Sequence, residues 1–131
     1  MILGIGIDIV KVERIKAAYK RLKYSFLKKV FTQKEIEYAF SKKDPFIHLS
    51  ARFAAKEAFL KALGTGWSQG IKWTDIEVIE SQNGAPKITF SGVLSEKAKK
   101  KGVKNALLSL SHDKMDAVAV VVLTGENHVS D

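Results

Sequence analysis

The chain has 131 residues, of which 46% are hydrophobic, enough for one compact domain with one core. It contains no cysteine, which excludes disulfides, thiolate metal sites and a cysteine nucleophile. The net charge is +8 and is concentrated in the first 44 residues, which hold 11 Lys and Arg against 5 Asp and Glu. Such a basic region favours acidic partners. No stretch approaches the roughly 20 apolar residues that a membrane span needs, so we expect a soluble protein in a reducing cytoplasm.

Residues 2–10 predict a strand, because apolar side chains alternate with small or acidic residues. One face would carry Leu3, Ile5, Ile7 and Ile9, and the other would carry Gly4, Gly6 and Asp8. Glycines inside a strand often mark the close approach of a ligand or of another backbone. The second face therefore presents a single carboxylate on an otherwise bare surface.

Three helices are predicted next. Residues 11–23 have apolar positions at helical spacing and a basic edge formed by Lys11, Arg14 and Arg21. Thr32 followed by Glu35 is a capping-box pattern, so a second helix should begin after Thr32. The third should run over residues 46–63, with Gly64 at the usual stop position.

The rest of the chain predicts mainly strands, over residues 73–80, 86–90, 105–112 and 116–123, with one short basic helix in "SGVLSEKAKKKG". This order favours an α+β fold with a small antiparallel sheet. We expect a single domain over residues 1–124 and a frayed tail over residues 125–131.

The segment "RFAAKEAFLKALGTG", residues 52–66, is an apolar helix that nevertheless carries Arg52, Lys56, Glu57 and Lys61. Charged side chains are expensive to bury without partners. In one interpretation Glu57 and Lys61 form an ordinary pair one helical turn apart, while Arg52 and Lys56 extend to solvent. In the other, the four side chains face a specific site.

Asp8 favours the second interpretation. Two carboxylates, Asp8 and Glu57, suit a hard cation such as Mg²⁺, which binds one or two protein carboxylates together with water and phosphate oxygens. Arg52, Lys56 and Lys61 would then contact phosphates, with help from the backbone N–H groups of "GTGWSQG". The alternative for Asp8 is a helix-capping or turn residue.

The segment "SLSHD", residues 109–113, places His112 at the end of a strand. Adjacent residues do not form a Ser-His-Asp triad, because such groups meet in space and neighbours on a strand point to opposite faces. Turn chemistry with a hydrogen-bonded histidine is the simpler interpretation. A histidine could still contact an anion or carry a proton.

Six motifs together cover nearly the whole chain: "GIGIDIVKVERI", "FTQKE", "ARFAAKEAFLKALGTG", "WTDIEV", "NGAPKI" and "LSLSHDKMDAVAVVV". In this order they resemble the stand-alone bacterial holo-[acyl-carrier-protein] synthases of the 4′-phosphopantetheinyl transferase superfamily. The resemblance implies that superfamily's fold and a homotrimer with active sites between neighbouring subunits. It also implies transfer of 4′-phosphopantetheine from coenzyme A to a serine of apo acyl carrier protein, a reaction that serves fatty acid biosynthesis.

The resemblance also implies residue roles. Asp8 and Glu57 match the ligands of Mg²⁺, for which Mn²⁺ could substitute, and Lys61 matches the lysine that contacts the transferred phosphate. The residues that match the coenzyme A site are Arg52, Lys61, Gly64, Thr65, Gly66 and His112. The base that accepts the serine proton is left open between Glu57 and a water held near the metal.

The basic edge gains a specific hypothesis: Lys11, Arg14 and Arg21 dock the acidic carrier protein. The alternative is a solvated helix face. A second function class, a small basic nucleic-acid-binding module, is permitted by the charge but not favoured, because the apolar strands offer no aromatic stacking platform. We therefore expect neither nucleic acid nor a membrane among the partners.

Overall fold

The computed structural model describes residues 1–126, which form one α+β domain. The strands are β1 (Ile2–Lys11), β2 (Ile76–Glu80), β3 (Pro86–Phe90), β4 (Asn105–His112) and β5 (Asp116–Thr124). The helices are α1 (Val12–Leu22), α2 (Tyr24–Val30), α3 (Gln33–Phe40), α4 (Pro45–Leu63) and α5 (Gly92–Lys100), with a 3₁₀ turn at Trp73–Asp75. The α+β prediction is confirmed.

Three features differ from the sequence prediction. Helix α2 was not expected, and the strand predicted over residues 73–80 begins only at Ile76, after the 3₁₀ turn. The strands form two antiparallel sheets, one in the order β1-β5-β4 and one of β2 with β3. Of the predicted tail, Gly125 pairs its backbone with Met1, and residues 127–131 lie outside the described part. No helix within residues 1–126 is both long and apolar enough to cross a membrane.

Helix α4 is the centre of the domain. Asp44 caps its first turn by accepting a hydrogen bond from the Phe46 N–H, and Pro45 occupies the first helical position, where its missing N–H costs nothing. Gly64 ends the helix in the left-handed region at φ 79°. Most of the helix surface is buried, as its nearly continuous apolar sequence predicts.

Strand β1 packs on α4 through its glycine face. A Cβ added at Gly4 would lie 2.0 Å from the Ala62 carbonyl oxygen, and one added at Gly6 would lie 1.9 Å from that of Ala58. No side chain fits at such distances, so the glycines allow the two backbones to touch. The close approach predicted for this face is therefore to another backbone, and it brings Asp8 against α4.

The opposite face of the β1-β5-β4 sheet is apolar and exposed. Ile5, Ile7 and Ile9 are 58–65% exposed, and Leu107 on β4 is 58% exposed. The β5 residues that pair with the three isoleucines are Val122, Val120 and Val118. An apolar surface of this extent is typical of an interface with another protein.

Lys56 and Glu35 form a completely buried ion pair. Lys56 Nζ donates to Glu35 Oε1 at 2.7 Å and to the carbonyl oxygens of Val30 and Trp73 at 2.7 and 3.2 Å. Burial lowers the pKa of Lys56, and the carboxylate of Glu35 opposes that shift. Both predictions for Lys56, a phosphate contact and a side chain extended to solvent, are wrong, because this ammonium group is enclosed by protein.

Glu35 has a second role that the sequence did predict. It accepts the Thr32 N–H at 2.8 Å while the Thr32 hydroxyl accepts the Glu35 N–H, which confirms the capping box of α3. Its other oxygen accepts the Val78 N–H at 2.8 Å. One carboxylate therefore links α3, α4 and β2.

Candidate active site

Asp8 and Lys61 meet where β1 crosses α4. Lys61 Nζ donates to Asp8 Oδ1 at 3.0 Å and to the Ile7 carbonyl oxygen at 3.1 Å. The Lys61 side chain is 56% exposed and that of Asp8 is 17% exposed, so the pair faces solvent. Asp8 lies inside β1 opposite Ala119 and Lys11 is the N-cap of α1, so the helix-capping alternative for Asp8 is wrong.

Glu57 lies one helical turn before Lys61 on the same side of α4. Its Oε1 accepts a hydrogen bond from Trp67 Nε1 at 3.3 Å. The ion pair of Lys61 is with Asp8 and not with Glu57. The interpretation in which Glu57 and Lys61 form an ordinary pair within the helix is therefore wrong.

The donor chemistry fits a hard divalent cation. Asp8 lies against the Lys61 ammonium, and Glu57 supplies a second carboxylate one helical turn earlier on the same side of α4. Mg²⁺ commonly takes one or two protein carboxylates and completes its shell with water and phosphate oxygens. Within residues 1–126 no cluster of three or more metal-ligating side chains is present, so the rest of the shell would have to come from water or substrate. The positively charged side chain next to Asp8 is Lys61.

The segment from Gly64 to Gly66 directly follows the last residue of α4. The N–H groups of Gly64 and Thr65 both donate to the Leu60 carbonyl oxygen, at 2.9 and 3.1 Å, while Lys101 Nζ covers the Leu63 carbonyl oxygen at 2.5 Å. A Cβ at Gly66 would meet no atom within 4 Å, so this part of the loop faces open space. The N–H groups of Gly64 and Thr65 are therefore already used at the end of α4, and the cavity beside these two residues is lined by Lys97, Lys100 and Lys101 rather than by Lys61.

Arg52 and His112 lie in a different place, a cavity of about 260 Å³ that also contains Tyr38, His48 and Glu80. Arg52 is 1% exposed; its guanidinium lies 4.3 Å from the Tyr38 ring centroid and 3.4 Å from Glu80 Oε1. Its Nε has no hydrogen-bond partner. The alternative in which Arg52 extends to solvent is wrong.

Two histidines line this cavity. The rings of His48 and His112 are 5.4 Å apart in an edge-to-face contact. Burial lowers the pKa of His48, with help from the nearby His112 and the Arg52 guanidinium. The turn after β4 is held instead by Asp113, whose Oδ1 accepts the Met115 and Asp116 N–H groups at 2.8 Å each. Those bonds lower the pKa of Asp113.

The predicted residues thus form two groups on opposite sides of α4. Arg52 and Lys61 are nine residues apart, which separates them by about 13 Å along the helix axis and by about half a turn around it. Asp8, Glu57, Lys61 and the Gly64–Gly66 loop form one group, and Arg52 with His112 forms the other. A single chain does not turn both groups toward one ligand.

The basic edge of α1 borders a groove. Lys11, Arg14 and Arg21 are exposed, and the two arginines line a cavity of about 330 Å³ whose floor is formed by Phe26 and Phe53. The Arg14 guanidinium lies 5.6 Å from the Phe53 ring centroid. An apolar floor with a cationic rim suits an acidic amphipathic partner.

Sequence reasoning did not identify Trp67 or His48. Trp67 follows Gly66 within the predicted phosphate loop, and that position was a usable signal. His48 precedes Arg52 by four residues, so helical spacing alone places them side by side.

Residues 4–121 match the sequence profile of the 4′-phosphopantetheinyl transferase superfamily. The chain belongs to this superfamily.

Individual members of the 4′-phosphopantetheinyl transferase superfamily match over almost the full length. The holo-[acyl-carrier-protein] synthase of Carboxydothermus hydrogenoformans is 48% identical, over 90% of this chain and 94% of that protein. The crystal structure of the Neisseria meningitidis synthase superposes with a TM-score of 0.86 at 33% identity, covering 95% and 99% of the two chains. The Helicobacter pylori synthase, solved in complex with coenzyme A, gives a TM-score of 0.80 at 37% identity, covering 92% and 99%.

Proposed function

We propose that this chain transfers the 4′-phosphopantetheine group from coenzyme A to a serine hydroxyl of apo acyl carrier protein and releases adenosine 3′,5′-bisphosphate. The observation that carries the proposal is the Asp8–Lys61 ion pair on the β1–α4 contact, with Glu57 one helical turn before Lys61, in a chain whose relatives are holo-[acyl-carrier-protein] synthases. The synthase relatives of Bacillus anthracis and H. pylori were solved with coenzyme A or its nucleotide part bound.

In this reaction the serine oxygen forms a bond to the β-phosphorus of coenzyme A, and the bond from that phosphorus to the bridging oxygen breaks. The bridging oxygen leaves on adenosine 3′,5′-bisphosphate, and the serine proton passes to Glu57 or to a water beside it. Catalysis of phosphoryl transfer is mainly positioning and charge neutralisation. Lys61, 56% exposed and already beside Asp8, can reach a non-bridging phosphate oxygen.

Asp8 and Glu57 would hold Mg²⁺ or Mn²⁺ in this site. The bound cation supplies positive charge to the phosphate oxygens as the reaction proceeds. The chain's own contribution is to fix both carboxylates: Asp8 through the contact of β1 with α4, and Glu57 through the hydrogen bond from Trp67.

We further propose that the active site is completed by a second copy of the chain, in a trimer. Two observations support this. Arg52 and His112 lie on the side of α4 away from Lys61, so the nucleotide part of coenzyme A would reach them from a neighbouring subunit's site. The exposed face that includes Ile5, Ile7 and Ile9 supplies an apolar surface for the contact.

The third part of the proposal concerns the carrier protein. Lys11, Arg14 and Arg21 would attract an acidic carrier; the two arginines border the groove whose apolar floor is formed by Phe26 and Phe53, and Lys11 lies on the same exposed edge of the helix. Complementary charge would raise the rate of encounter. The nucleic-acid alternative gains no support, since β4 and β5 carry no Phe, Tyr or Trp.

The decisive experiment is the intact mass of an apo acyl carrier protein after incubation with this protein and coenzyme A. We expect a phosphopantetheine mass gain with Mg²⁺, its loss with a chelator, and its loss in Glu57→Ala. Glu37→Gln, an exposed acid on α3, is the control and should transfer normally. No gain with any of several carriers would refute the proposal.

Subunit completion is tested separately by mass-resolved chromatography. We expect a trimer for the parent and a monomer for Ile7→Glu, which places a charge on the exposed apolar face. The monomeric variant should remain folded by circular dichroism and should lose transfer. A parent that is monomeric yet fully active would contradict the shared site.

A further inference from the structure

The loop after α4 is anchored back onto that helix by an aromatic side chain. Trp67 directly follows Gly66, and its indole Nε1 donates to Glu57 Oε1 at 3.3 Å. The same indole stacks on Trp73, with ring centroids 3.8 Å apart and an interplanar angle of 25°. The side chain is therefore fixed at its ring face and at its polar atom.

The stacked rings connect Trp67 to α4 through Trp73 and Phe53. Trp73 stacks on Phe53 with centroids 4.9 Å apart and an interplanar angle of 27°. Phe53 and Glu57 are one helical turn apart on α4, so Phe53, Trp73, Trp67 and Glu57 form a closed circuit of contacts. The Trp73 carbonyl oxygen also accepts a hydrogen bond from buried Lys56 at 3.2 Å, which fixes the middle of the circuit.

We propose that Trp67 is a positioning residue of the transferase site: its indole N–H orients the Glu57 carboxylate, and its stacking holds the Gly64–Gly66 loop against α4. This inference rests on the proposed function, in which Glu57 is a metal ligand. Carboxylates that bind metal are commonly held by an outer hydrogen bond, and losing that partner typically costs about 10- to 100-fold in metal affinity or activity. Trp67 is the side chain that makes such a bond here.

The first test is Trp67→Phe, which keeps an aromatic ring for the stack and removes the N–H donor. Mn²⁺ affinity is measured from the signal of the free ion by electron paramagnetic resonance, in the absence of substrates. We expect about 10-fold weaker Mn²⁺ binding and about 10-fold lower kcat. The KM for the carrier protein should match the parent, because it does not depend on the orientation of Glu57.

Trp73→Phe is the matched comparison, since it makes the same chemical change one ring away. It removes an N–H that does not bond Glu57, so Mn²⁺ affinity should stay within about twofold of the parent. In a Glu57→Ala background, Trp67→Phe should produce no further loss of Mn²⁺ binding, because the group it orients is gone.

The outcomes separate the two proposals. If the parent transfers phosphopantetheine in a Glu57-dependent way but Trp67→Phe matches it in Mn²⁺ affinity and kcat, the positioning role is overturned and the proposed function stands. A thermal midpoint that falls while Mn²⁺ affinity stays at the parent value also overturns it, since Trp67 would then only pack. A parent that neither binds Mn²⁺ nor transfers overturns both proposals.

Discussion

Replacing Lys56 with Met should destabilise the domain strongly without removing a catalytic group. The change keeps a long unbranched side chain and deletes the ammonium that pairs with Glu35 and bonds the Val30 and Trp73 carbonyl oxygens. The side chains of Lys56 and Glu35 are both 0% exposed, so water cannot replace the lost contacts. Removing one partner of a buried ion pair typically costs about 3–5 kcal/mol.

The thermal consequence can be worked from the length of the chain. Unfolding entropy near 60 °C is about 2.1 cal/mol/K per residue, which gives about 0.28 kcal/mol/K for this protein. A loss of about 4 kcal/mol therefore lowers the thermal midpoint by about 15 °C. The assay is thermal unfolding by circular dichroism at one protein concentration, because assembly makes the midpoint depend on concentration.

Two further variants and an activity measurement test whether the loss of stability comes from the buried ion pair. Lys28→Met, on the exposed surface of α2, should change stability by no more than about 0.5 kcal/mol. Lys56→Met combined with Glu35→Gln removes the unpaired buried charge but turns an amide NH2 toward the N–H of Thr32 or Val78, so it should recover little of the loss. At a temperature where Lys56→Met is folded, it should still transfer phosphopantetheine, because Lys56 contacts no reacting group; any fall in kcat would report the lost bond to the Trp73 carbonyl oxygen. A variant with parental stability would refute the structural role of the pair.

Three further predictions address the site and its surroundings. Gly6→Ala places a Cβ 1.9 Å from the Ala58 carbonyl oxygen, so β1 must shift by more than about 1 Å. We expect the free energy of unfolding to fall by about 1–3 kcal/mol in unfolding assays. In transfer assays we expect kcat/KM to fall about 100-fold, because the shift displaces Asp8. Parental activity would contradict this. Arg14→Glu should raise the KM for carrier protein and leave coenzyme A binding unchanged, with a strong salt dependence; an unchanged carrier KM would remove Arg14 from the docking surface. Because the pKa of His48 is lowered from 6.5, its contribution to stability is present above that pH and is lost as the pH falls through the folded value. Unfolding of His48→Gln should therefore depend less on pH below 6.5, and an unchanged slope would exclude this residue as the cause.

Local patterns in the sequence predicted most of the elements because they depend on short-range rules. The capping box at Thr32 and Glu35 formed as predicted, and Gly64 ends α4 in the left-handed conformation that its position indicated. The sequence did not predict helix α2, because no local signal marks the break that separates it from α1. The break before it lies at Lys23, with φ 53° and ψ −135°, where neither glycine nor proline marks the turn.

The candidate site was predicted in composition but not in arrangement. The residues Asp8, Glu57 and Lys61 could be selected from the sequence because carboxylates and an ammonium on apolar elements need a partner. Which cation pairs with which anion depends on how β1 crosses α4, and that is fixed by backbone contacts at Gly4 and Gly6. Pairing across 53 residues has no local pattern that could reveal it.

The sequence by itself determined the element types, the α+β class, the superfamily resemblance and the identity of most candidate site residues, since these follow from periodicity, capping and motif order. Tertiary structure alone decided the fate of the individual charges. Lys56 lies in the core with Glu35, Arg52 lies against Tyr38 away from Lys61, and the isoleucine face of β1 points outward. The physical reason is that desolvation and partner distance set the role of a charged side chain, and both quantities exist only once the chain is packed.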